Sequence, residues 1–416
     1  MEIEFLGGAQ EVGKAGIAAY SNSSGICLDF GMAAGEEPDF PVLPSRKIDS
    51  LVLSHAHLDH VGGAPILFKD AGNPSLICND ITFDTTKMLV EDALKIARME
   101  MRSMPYGKDE YKKMKDRFLN TAFYQPRRVG DLSVELIPAG HIPGAAGIIV
   151  EHAGKRAFYT GDFKFEDMRL VKGADVPKNI DTLVIESTYA QRDHPNRQQE
   201  EKKLIDAVEE AISNNGKVLI PVFAVGRAQE ILLILEEYAS KIAFDGMART
   251  MSKITMKPGY EHYTRNHDKM KEILGRVMWV SSEKERSAAA KNSPIVVTTA
   301  GMAVGGPIHY YIKSFGDANC KVVFVGYLPK GTVGRRLMDT GILHSEGSEF
   351  KVKCHVEQLD FSAHAGRTEL FNFIEAVNPK EVYCVYGDDT PKFAREITEK
   401  FGIDAHAPKV GDVVRV

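Results

Sequence analysis

The feature that most constrains this chain is the stretch from 54 to 63, which reads SHAHLDHVGG. It places three imidazoles and a carboxylate within six residues: His55, His57, Asp59 and His60. The apolar run IDSLVLS before it predicts a buried strand, and the residues after it predict a short helix. Because open α/β sheets place their sites beyond the carboxyl ends of strands, the sequence predicts a metal site on this turn. These ligand types favour zinc, with manganese or iron as alternatives.

Length and composition set limits on the remaining interpretation. The 416 residues suffice for two or three domains, and the net charge of −5 excludes a protein that coats nucleic acid through overall basicity. Five scattered cysteines, never in a C-x-x-C pair, predict a reducing compartment without a disulfide framework. No run approaches the roughly 20 apolar residues of a membrane span, and no signal-peptide pattern follows Met1. We expect a cytoplasmic protein without membrane association.

One nucleotide-binding pattern is incomplete. Residues 8 to 15, GAQEVGKA, fit G-x-x-x-x-G-K but end in Ala, where a P-loop needs Ser or Thr for magnesium. The residues that follow resemble another strand, whereas a P-loop leads into a long helix. We therefore expect no nucleotide cofactor.

A basic stretch suggests a different kind of contact. Residues 98–128 contain nine Lys/Arg against four Asp/Glu, together with several aromatic residues that include Tyr106 and Tyr111. Such a stretch can track a nucleic-acid backbone. A solvated helical excursion, continuing a predicted helix at 84–102, is equally compatible with it.

Polar groups recur where other apolar runs end. Each of these runs predicts a strand, and the residues that follow or close them are Asp29, His141, Asp162, Glu186, His364 and Tyr386. A helix is predicted over 196–213 with Asn196 as its cap. From about 217 the pattern alternates between strands and helices, which predicts a parallel βαβ unit. The recurrence predicts one rim lined with ligands.

The order of these residues resembles a known signature. His55-Ala-His57-Leu-Asp59-His60, followed by His141 and Asp162, is similar to the H-x-H-x-D-H, His and Asp motifs of the metallo-β-lactamase fold family. IESTYA at Glu186 and FSAH at His364 resemble two extra motifs of its β-CASP ribonuclease branch. IPVFAVGRAQE, TTAGMAVGG and GTVGRRL are also typical of that branch. The resemblance is specifically to archaeal cleavage and polyadenylation specificity factor (CPSF)-type nucleases without KH domains.

The resemblance implies a fold and an activity. The implied fold is α/β, a metallo-β-lactamase αββα sandwich with an inserted parallel-sheet β-CASP domain. The hydrolase domain is expected over 1–190 and, after the β-CASP domain at 191–355, again over 356–416. The implied activity is zinc-dependent hydrolysis of mainly single-stranded RNA by an endonuclease, with 5′–3′ exonuclease activity left open. A homodimer is also implied, and the tail KVGDVVRV predicts a terminal strand with a pairable edge.

The resemblance also assigns metal ligands. It implies two zinc ions, the first held by His55, His57 and His141. The second is expected on Asp59 and His60, with Asp162 bridging both. The first Asp of the family, matched by Asp29, usually orients the site without binding metal.

Further roles follow from the same resemblance. Asp59, Glu186 and His364 are the expected catalytic residues, with His364 protonating the leaving 3′-oxygen or contacting the scissile phosphate, and Glu186 holding His364 in orientation. Hydroxyls and glycine turns are expected to contact flanking phosphates, although such residues usually serve only the turn itself. These substrate-binding candidates are Ser187, Thr299, Gly301 and Ser362.

The sequence departs from the family at Tyr386. The third extra motif normally presents a His that completes the second metal site, and here the matching residues read Val-Tyr-Gly-Asp. A phenol, with an unperturbed pKa of about 10, is a poor zinc ligand at neutral pH. We expect Tyr386 to stand back and leave the second zinc weakly bound. Ligation by a phenolate, stabilised by the metal charge, is the alternative.

Other functions compete with the ribonuclease hypothesis. A catalytically impaired RNA-binding scaffold of a processing complex is supported only by Tyr386. A small-ester hydrolase on the same fold is disfavoured by the motifs at Glu186 and His364. An amidohydrolase barrel shares H-x-H but lacks the Asp-His sequel, and the chain shows no eightfold strand–helix repeat.

Overall fold

The computed structural model describes residues 1–33, 37–69, 73–315, 319–329, 331–345 and 347–416. These residues divide into two units. The first unit comprises Met1–Asp167, Lys172–Asp193 and His364–Val416, and the second comprises Met168–Val171 and His194–Ala363. The first unit is therefore built from both ends of the sequence, and the second mainly from its middle.

The strands are numbered in chain order. They are β1 Glu2–Gly7, β2 Gly16–Tyr20, β3 Gly25–Phe30, β4 Ser50–Val52, β5 Ser75–Cys78, β6 Phe118–Asn120, β7 Arg127–Val129, β8 Leu132–Pro138, β9 Ala146–His152, β10 Lys155–Tyr159, β11 Thr182–Glu186, β12 Lys217–Pro221, β13 Ile242–Asp245, β14 Met278–Trp279, β15 Ile295–Thr298, β16 Cys320–Phe324, β17 Ile342–Ser345, β18 Ser348–Lys351, β19 His355–Gln358, β20 Glu381–Val385, β21 Asp404–His406 and β22 Val413–Arg415.

The α-helices are numbered in the same way. They are α1 Leu58–Val61, α2 Asp80–Met99, α3 Lys108–Asp116, α4 Arg197–Ser213, α5 Arg227–Ile234, α6 Met247–Thr255, α7 His267–Arg276, α8 Glu283–Asn292, α9 Ile308–Ser314, α10 Val333–Thr340, α11 Arg367–Val377 and α12 Thr390–Phe401. Short 3₁₀ helices span Ala64–Phe68, Glu236–Lys241 and Glu261–Tyr263.

The first unit is a sandwich of two seven-stranded sheets. Their strand orders are β22-β1-β2-β3-β4-β5-β6 and β21-β20-β11-β10-β9-β8-β7. Alternation along β2 explains the layering, because Ile17 and Ala19 join the core between the sheets while Ala18 and Tyr20 face the opposite way. Helices α1 to α3 cover that outer face. On the other sheet, α11 packs against β10, with the rings of Phe158 and Phe373 6.3 Å apart.

The second unit is built on a parallel sheet. Its six strands have the order β14-β13-β15-β12-β16-β19, and every pairing is parallel. Parallel sheets need apolar cover on both faces. One face is covered by a cluster that includes Leu204 and Ile231, and the other by a cluster that includes Ala289 and Tyr311. The predicted αββα sandwich with an inserted parallel-sheet domain is confirmed.

Several predicted elements also agree with the structure. Helix α4 begins at Arg197, and the side chain of Asn196 accepts a hydrogen bond from the Gln199 amide as its cap. The helix predicted at 84–102 is α2, which starts earlier because Asn79 caps it through the Thr82 amide. Residues 8 to 15 lead from β1 into the antiparallel β2. None of the helices in the described ranges combines the length and apolarity needed to cross a bilayer.

Candidate metal centre

The first unit gathers the polar residues that follow its strands. The stretch from 54 to 60 comes directly after β4, whose three residues are buried. His141 follows β8, Asp162 follows β10, Glu186 closes β11 and Tyr386 follows β20. His364 lies three residues before α11. All the residues that sequence reasoning proposed as metal ligands therefore lie in one unit.

Three imidazoles and a carboxylate converge at the centre of this group. The Nδ1 atom of His57 lies 3.2 Å from Nε2 of His55 and 3.0 Å from Nε2 of His141. Oδ2 of Asp162 lies 3.5 Å from the His55 nitrogen and 3.7 Å from the His141 nitrogen. Ligands about 2.0–2.2 Å from a tetrahedral zinc are themselves roughly 3.3–3.5 Å apart. The four measured distances are close to that spacing, and all four donor atoms lie within 4.8 Å of one another, so this group could hold one such ion.

Beside this group, His60 and the second oxygen of Asp162 form an incomplete site. Nε2 of His60 lies 3.2 Å from Oδ1 of Asp162. Both atoms are buried, and neither has a hydrogen-bond partner among the described residues. Buried polar atoms without partners are costly, and a bound cation would satisfy these two. The donor set therefore fits a metal here as well.

Asp29 orients predicted metal ligands through hydrogen bonds. Its carboxylate is fully buried and accepts hydrogen bonds from the Ser54 hydroxyl at 2.6 Å, from Nδ1 of His60 at 2.8 Å and from the Tyr159 hydroxyl at 3.0 Å. The Ser54 oxygen also lies 3.0 Å from Nδ1 of His55. These bonds place a ring proton on Nδ1 in both histidines, so that Nε2 of each ring faces the site.

Electrostatics keep the central imidazoles neutral. Desolvation, reinforced by the neighbouring His55, lowers the pKa of His57 to about 3. Burial, reinforced by His364, also holds the pKa of His141 well below its usual value. A neutral imidazole has a lone pair to donate, so both residues are in the protonation state that a metal ligand needs.

Glu186 and His364 form a second pair next to Asp162. Nδ1 of His364 lies 2.9 Å from Oε1 of Glu186, and its Nε2 lies 3.8 Å from Oδ2 of Asp162. Burial opposes protonation of His364, but Glu186 and Asp162 outweigh it and raise its pKa to about 9. The Glu186 carboxylate also accepts from the Phe163 amide and the Thr188 hydroxyl. These hydrogen bonds fix the Glu186 carboxylate in place. From there it orients the His364 ring and favours its protonated form.

Tyr386 points its hydroxyl at a predicted metal ligand. The hydroxyl donates a hydrogen bond to Oδ2 of Asp59, and the ring lies 5.1 Å from that of His60. The backbone of Tyr386 is left-handed, with φ of 54°, and its amide donates to Gly8 at 2.6 Å. Burial, together with Asp59 and Asp162, raises the pKa of the phenol well above its usual value. Tyr386 is therefore a neutral donor to Asp59 in this structure.

The predicted substrate-binding residues lie in both units. In the first unit, the Ser187 hydroxyl is buried and donates to the Val385 carbonyl at 2.8 Å. In the second unit, the Thr299 oxygen accepts from the Met247 amide at the start of α6. An added Cβ at Gly301 would lie 2.9 Å from the Phe223 nitrogen, and the Ser362 amide donates to Asp360. Ser187, Thr299 and Gly301 thus contact other segments of the chain, and Ser362 contacts its own turn.

Three aromatic residues of the basic stretch are packed within the first unit. Tyr106 and Tyr111 are each only 5% exposed. The Tyr106 hydroxyl donates to the Gly62 carbonyl beside α1, and the Tyr111 hydroxyl donates to Glu91. Phe118 is stacked on Phe83. These three rings therefore anchor α2 and α3 within the first unit, and the nucleic-acid contact that the basic stretch suggests stays a prediction.

Sequence reasoning missed some supporting residues. Thr188 lies two positions after Glu186, and Tyr159 closes β10. Their hydroxyls bond to the Glu186 and Asp29 carboxylates. A hydroxyl residue at the end of a strand was the available signal, but such residues are common at turns. The partner of Tyr159 lies on another strand, so that contact depends on sheet order.

Three family models match the chain. The metallo-beta-lactamase superfamily matches residues 24–221, the Beta-Casp domain matches 228–337, and the Zn-dependent metallo-hydrolase RNA specificity domain matches 349–408. A solved protein of unknown function from Enterococcus faecalis V583 superposes with a TM-score of 0.64 at 13% identity, covering 99% of both chains. That likeness speaks only to the fold.

Relatives from archaea match along the whole chain. The probable RNase MJ4 of Methanocaldococcus jannaschii is 37% identical, with all of both chains covered. RNase aCSPSF2 of Saccharolobus solfataricus is 32% identical over 99% of this chain and 85% of the relative. Transcription termination factor FttA of M. jannaschii is 30% identical over all of this chain and 72% of the relative. These comparisons agree with the family resemblance that the sequence motifs indicated. The chain belongs to the β-CASP family of the metallo-β-lactamase superfamily.

Proposed function

We propose that this protein is a metal-dependent ribonuclease that hydrolyses phosphodiester bonds in RNA. The observation that carries the proposal is the contact of His364 with Glu186 beside an intact group of imidazole and carboxylate ligands. A small-ester hydrolase would need no such second pair. The names of the archaeal relatives and the RNA specificity domain at 349–408 support RNA as the substrate class.

Zinc is the metal we propose, in two positions. His55, His57 and His141 would hold one ion, while Asp59 and His60 would hold the other, with Asp162 shared between them. Buried Nε2 of His60 and Oδ1 of Asp162, which have no hydrogen-bond partner among the described residues, support the second position. When bound, such ions polarise phosphoryl oxygens and lower the pKa of water, which favours attack on phosphorus at neutral pH.

The residues of the chain supply the proton for the leaving group. As water adds to phosphorus and the bond from phosphorus to the 3′-oxygen breaks, the Nε2 proton of His364 passes to that oxygen. The attacking water gives up a proton to solvent, and His364 takes one back from solvent. Glu186 faces Nδ1 of His364, so it fixes the ring and favours the charged form needed before transfer. The products are a 3′-hydroxyl and a 5′-phosphate.

We propose that Tyr386 weakens the second zinc position. Its hydroxyl is already engaged as a donor to Asp59, and the high pKa of the buried phenol disfavours a phenolate. The position would then lack the ligand that a His supplies in related chains. One zinc would bind tightly and the other weakly.

The domain boundaries and the oligomeric state are also proposals. We propose a hydrolase domain over 1–190 and 356–416, with a β-CASP domain over 191–355. We also propose a homodimer, since β22 lies at one edge of its sheet and Val413 on it is 51% exposed. An edge strand presents unpaired backbone groups to a second copy.

A labelling experiment tests the proposed activity. Purified protein with added zinc is incubated with single-stranded RNA that carries either a 5′-end label or internal labels. Internal fragments with 5′-phosphate ends are expected, whereas release of mononucleotides alone from the 5′ end would assign exonuclease activity. Binding should weaken with salt, with a slope of about −0.7 per phosphate contact. Hydrolysis of small esters without RNA cleavage would overturn the proposal.

A further inference from the structure

We propose that Glu369 is a positioning residue that fixes His364 against Asp162. It would act through Lys164 and through the backbone of the loop that follows Asp162. The inference rests on the proposed function, because it assigns a role in the proton transfer by His364.

The Glu369 carboxylate binds two segments at once. Its Oε2 accepts from the Gly366 amide at 3.0 Å, which is the usual capping contact at the start of α11. The same oxygen accepts from the ammonium of Lys164, and Oε1 accepts from the Glu166 amide at 2.9 Å. A capping box needs only the first of these bonds. The other two tie α11 to the loop at 163–166.

These bonds lie close to the reacting groups along the chain. Lys164 is two residues after Asp162, and Gly366 is two residues after His364. Between them, the Ala365 amide donates to the Phe163 carbonyl at 2.7 Å. The two segments therefore lie side by side and are joined by several hydrogen bonds. The distance from His364 to Asp162 depends on how these bonds align the two segments.

The same loop also connects to Glu186. The Phe163 amide donates to Oε1 of Glu186 at 3.1 Å, and that oxygen faces Nδ1 of His364. A displaced loop would therefore disturb both partners of the His364 ring. A misplacement of about 1 Å at a reacting group can lower the rate a hundredfold.

The burial of the ion pair between Lys164 and Glu369 supports a positioning role. Lys164 and Glu369 are only 8% and 9% exposed. Burying two charges costs desolvation, so replacing such a pair by apolar residues of similar volume is often neutral or stabilising. Stability alone therefore gives little reason for an ion pair here, whereas bonds from one carboxylate to both segments have a direct geometric effect.

The test compares variants of graded effect. Lys164→Met with Glu369→Leu removes all three bonds and leaves an apolar pair. Lys164→Met alone leaves the two backbone bonds of Glu369. Lys380→Met is the control, because it removes an exposed pair with Asp181 in the same unit. We expect kcat to fall at least tenfold in the double variant and less in the single variant, with KM, zinc content and the control unchanged.

A modified substrate separates positioning from a general structural defect. In RNA with a sulfur in place of the 3′-bridging oxygen, the leaving group departs as a thiolate and needs no proton. The double variant and His364→Ala should both recover most of their rate on this substrate. Equal losses on both substrates, or no loss on either, would overturn the inference.

Two further outcomes have defined meanings. If the wild-type protein cleaves neither substrate, the proposed function fails, whereas cleavage with an unaffected double variant refutes only the role of Glu369. If the double variant does not fold, Glu369→Asp replaces it, because the shorter side chain cannot reach both segments. An unchanged kcat in that variant, on the natural substrate, would equally overturn the inference.

Discussion

Nδ1 of His364 lies 2.9 Å from Oε1 of Glu186 and 3.1 Å from Oε2, so both oxygens of one buried carboxylate face a single imidazole nitrogen. This pairing leaves Nε2 of His364 directed toward Asp162, where the substrate phosphate is proposed to bind. A residue poised in this way should donate a proton without holding the metal.

Replacing His364 should therefore remove catalysis and spare metal binding. We expect His364→Ala to lower kcat by about 100- to 10,000-fold, the range of a general acid, with zinc content unchanged. His152→Ala is the matched control, since His152 closes β9 and its imidazole lies 3.3 Å from the Asp131 carbonyl. RNA cleavage rates and zinc content of both variants provide the measurement. A variant that loses its zinc along with its activity would contradict this role.

The dependence of kcat on pH should report the same pair. The pKa of His364 is raised to about 9 by Glu186 and Asp162 against the effect of burial. An acid must be protonated to act, so kcat should hold below that pH and fall above it. Glu186→Gln removes the largest of the charges that raise this pKa, so the decline should begin at lower pH. Profiles of kcat between pH 6 and about 10 would show this shift, and superimposable alkaline limbs would rule it out.

Tyr386 should control metal stoichiometry. We expect the wild-type protein to keep one zinc through dialysis, because the Tyr386 hydroxyl bonds to Asp59 in place of binding metal. Tyr386→His should retain a second ion and cleave faster at limiting zinc, while Tyr386→Phe should behave as wild type. Elemental analysis after dialysis measures both. If the Phe variant loses the second ion together with activity, the phenolate is a ligand and the expectation is wrong.

The free edge at β22 predicts self-association. Pairing of two copies through this strand would give a dimer, with each copy using the same edge. A charge on the strand, Val413→Lys, should shift the protein toward a monomer, because charged side chains block edge pairing. Sedimentation equilibrium at micromolar concentration tests both forms. A wild-type protein that remains monomeric would refute the dimer.

Much of the site was predictable from the sequence. His55, His57, Asp59 and His60 follow one apolar run, so their closeness is fixed by local order. His141 and Asp162 follow other strands, and their meeting with this group depends on sheet order. An apolar run predicts a buried strand but does not indicate which strands lie beside it. The family motif therefore supplied the grouping of His141 and Asp162 with the first four residues.

Other features were not predictable because they depend on long-range packing. Tyr106 and Tyr111 lie in a basic stretch of the sequence. Only the tertiary structure reveals that both side chains are buried in the core on the outer face of the first sheet. The bond between Glu369 and the Lys164 ammonium joins positions about 200 residues apart. Likewise, the sequence identified Tyr386 as a departure, but its bond to Asp59 depends on how β20 sits beside the metal turn.

The most direct test of the account is RNA cleavage by the double variant Asp59→Ala and His60→Ala. Both side chains belong to the proposed second zinc position, and the variant also removes the bond from His60 to Asp29 and the bond from Tyr386 to Asp59. Wild-type and variant protein are compared on internally labelled RNA, with thermal unfolding as a check that the variant folds. The account predicts cleavage by the wild type and none by a folded variant. Equal cleavage by both would contradict it.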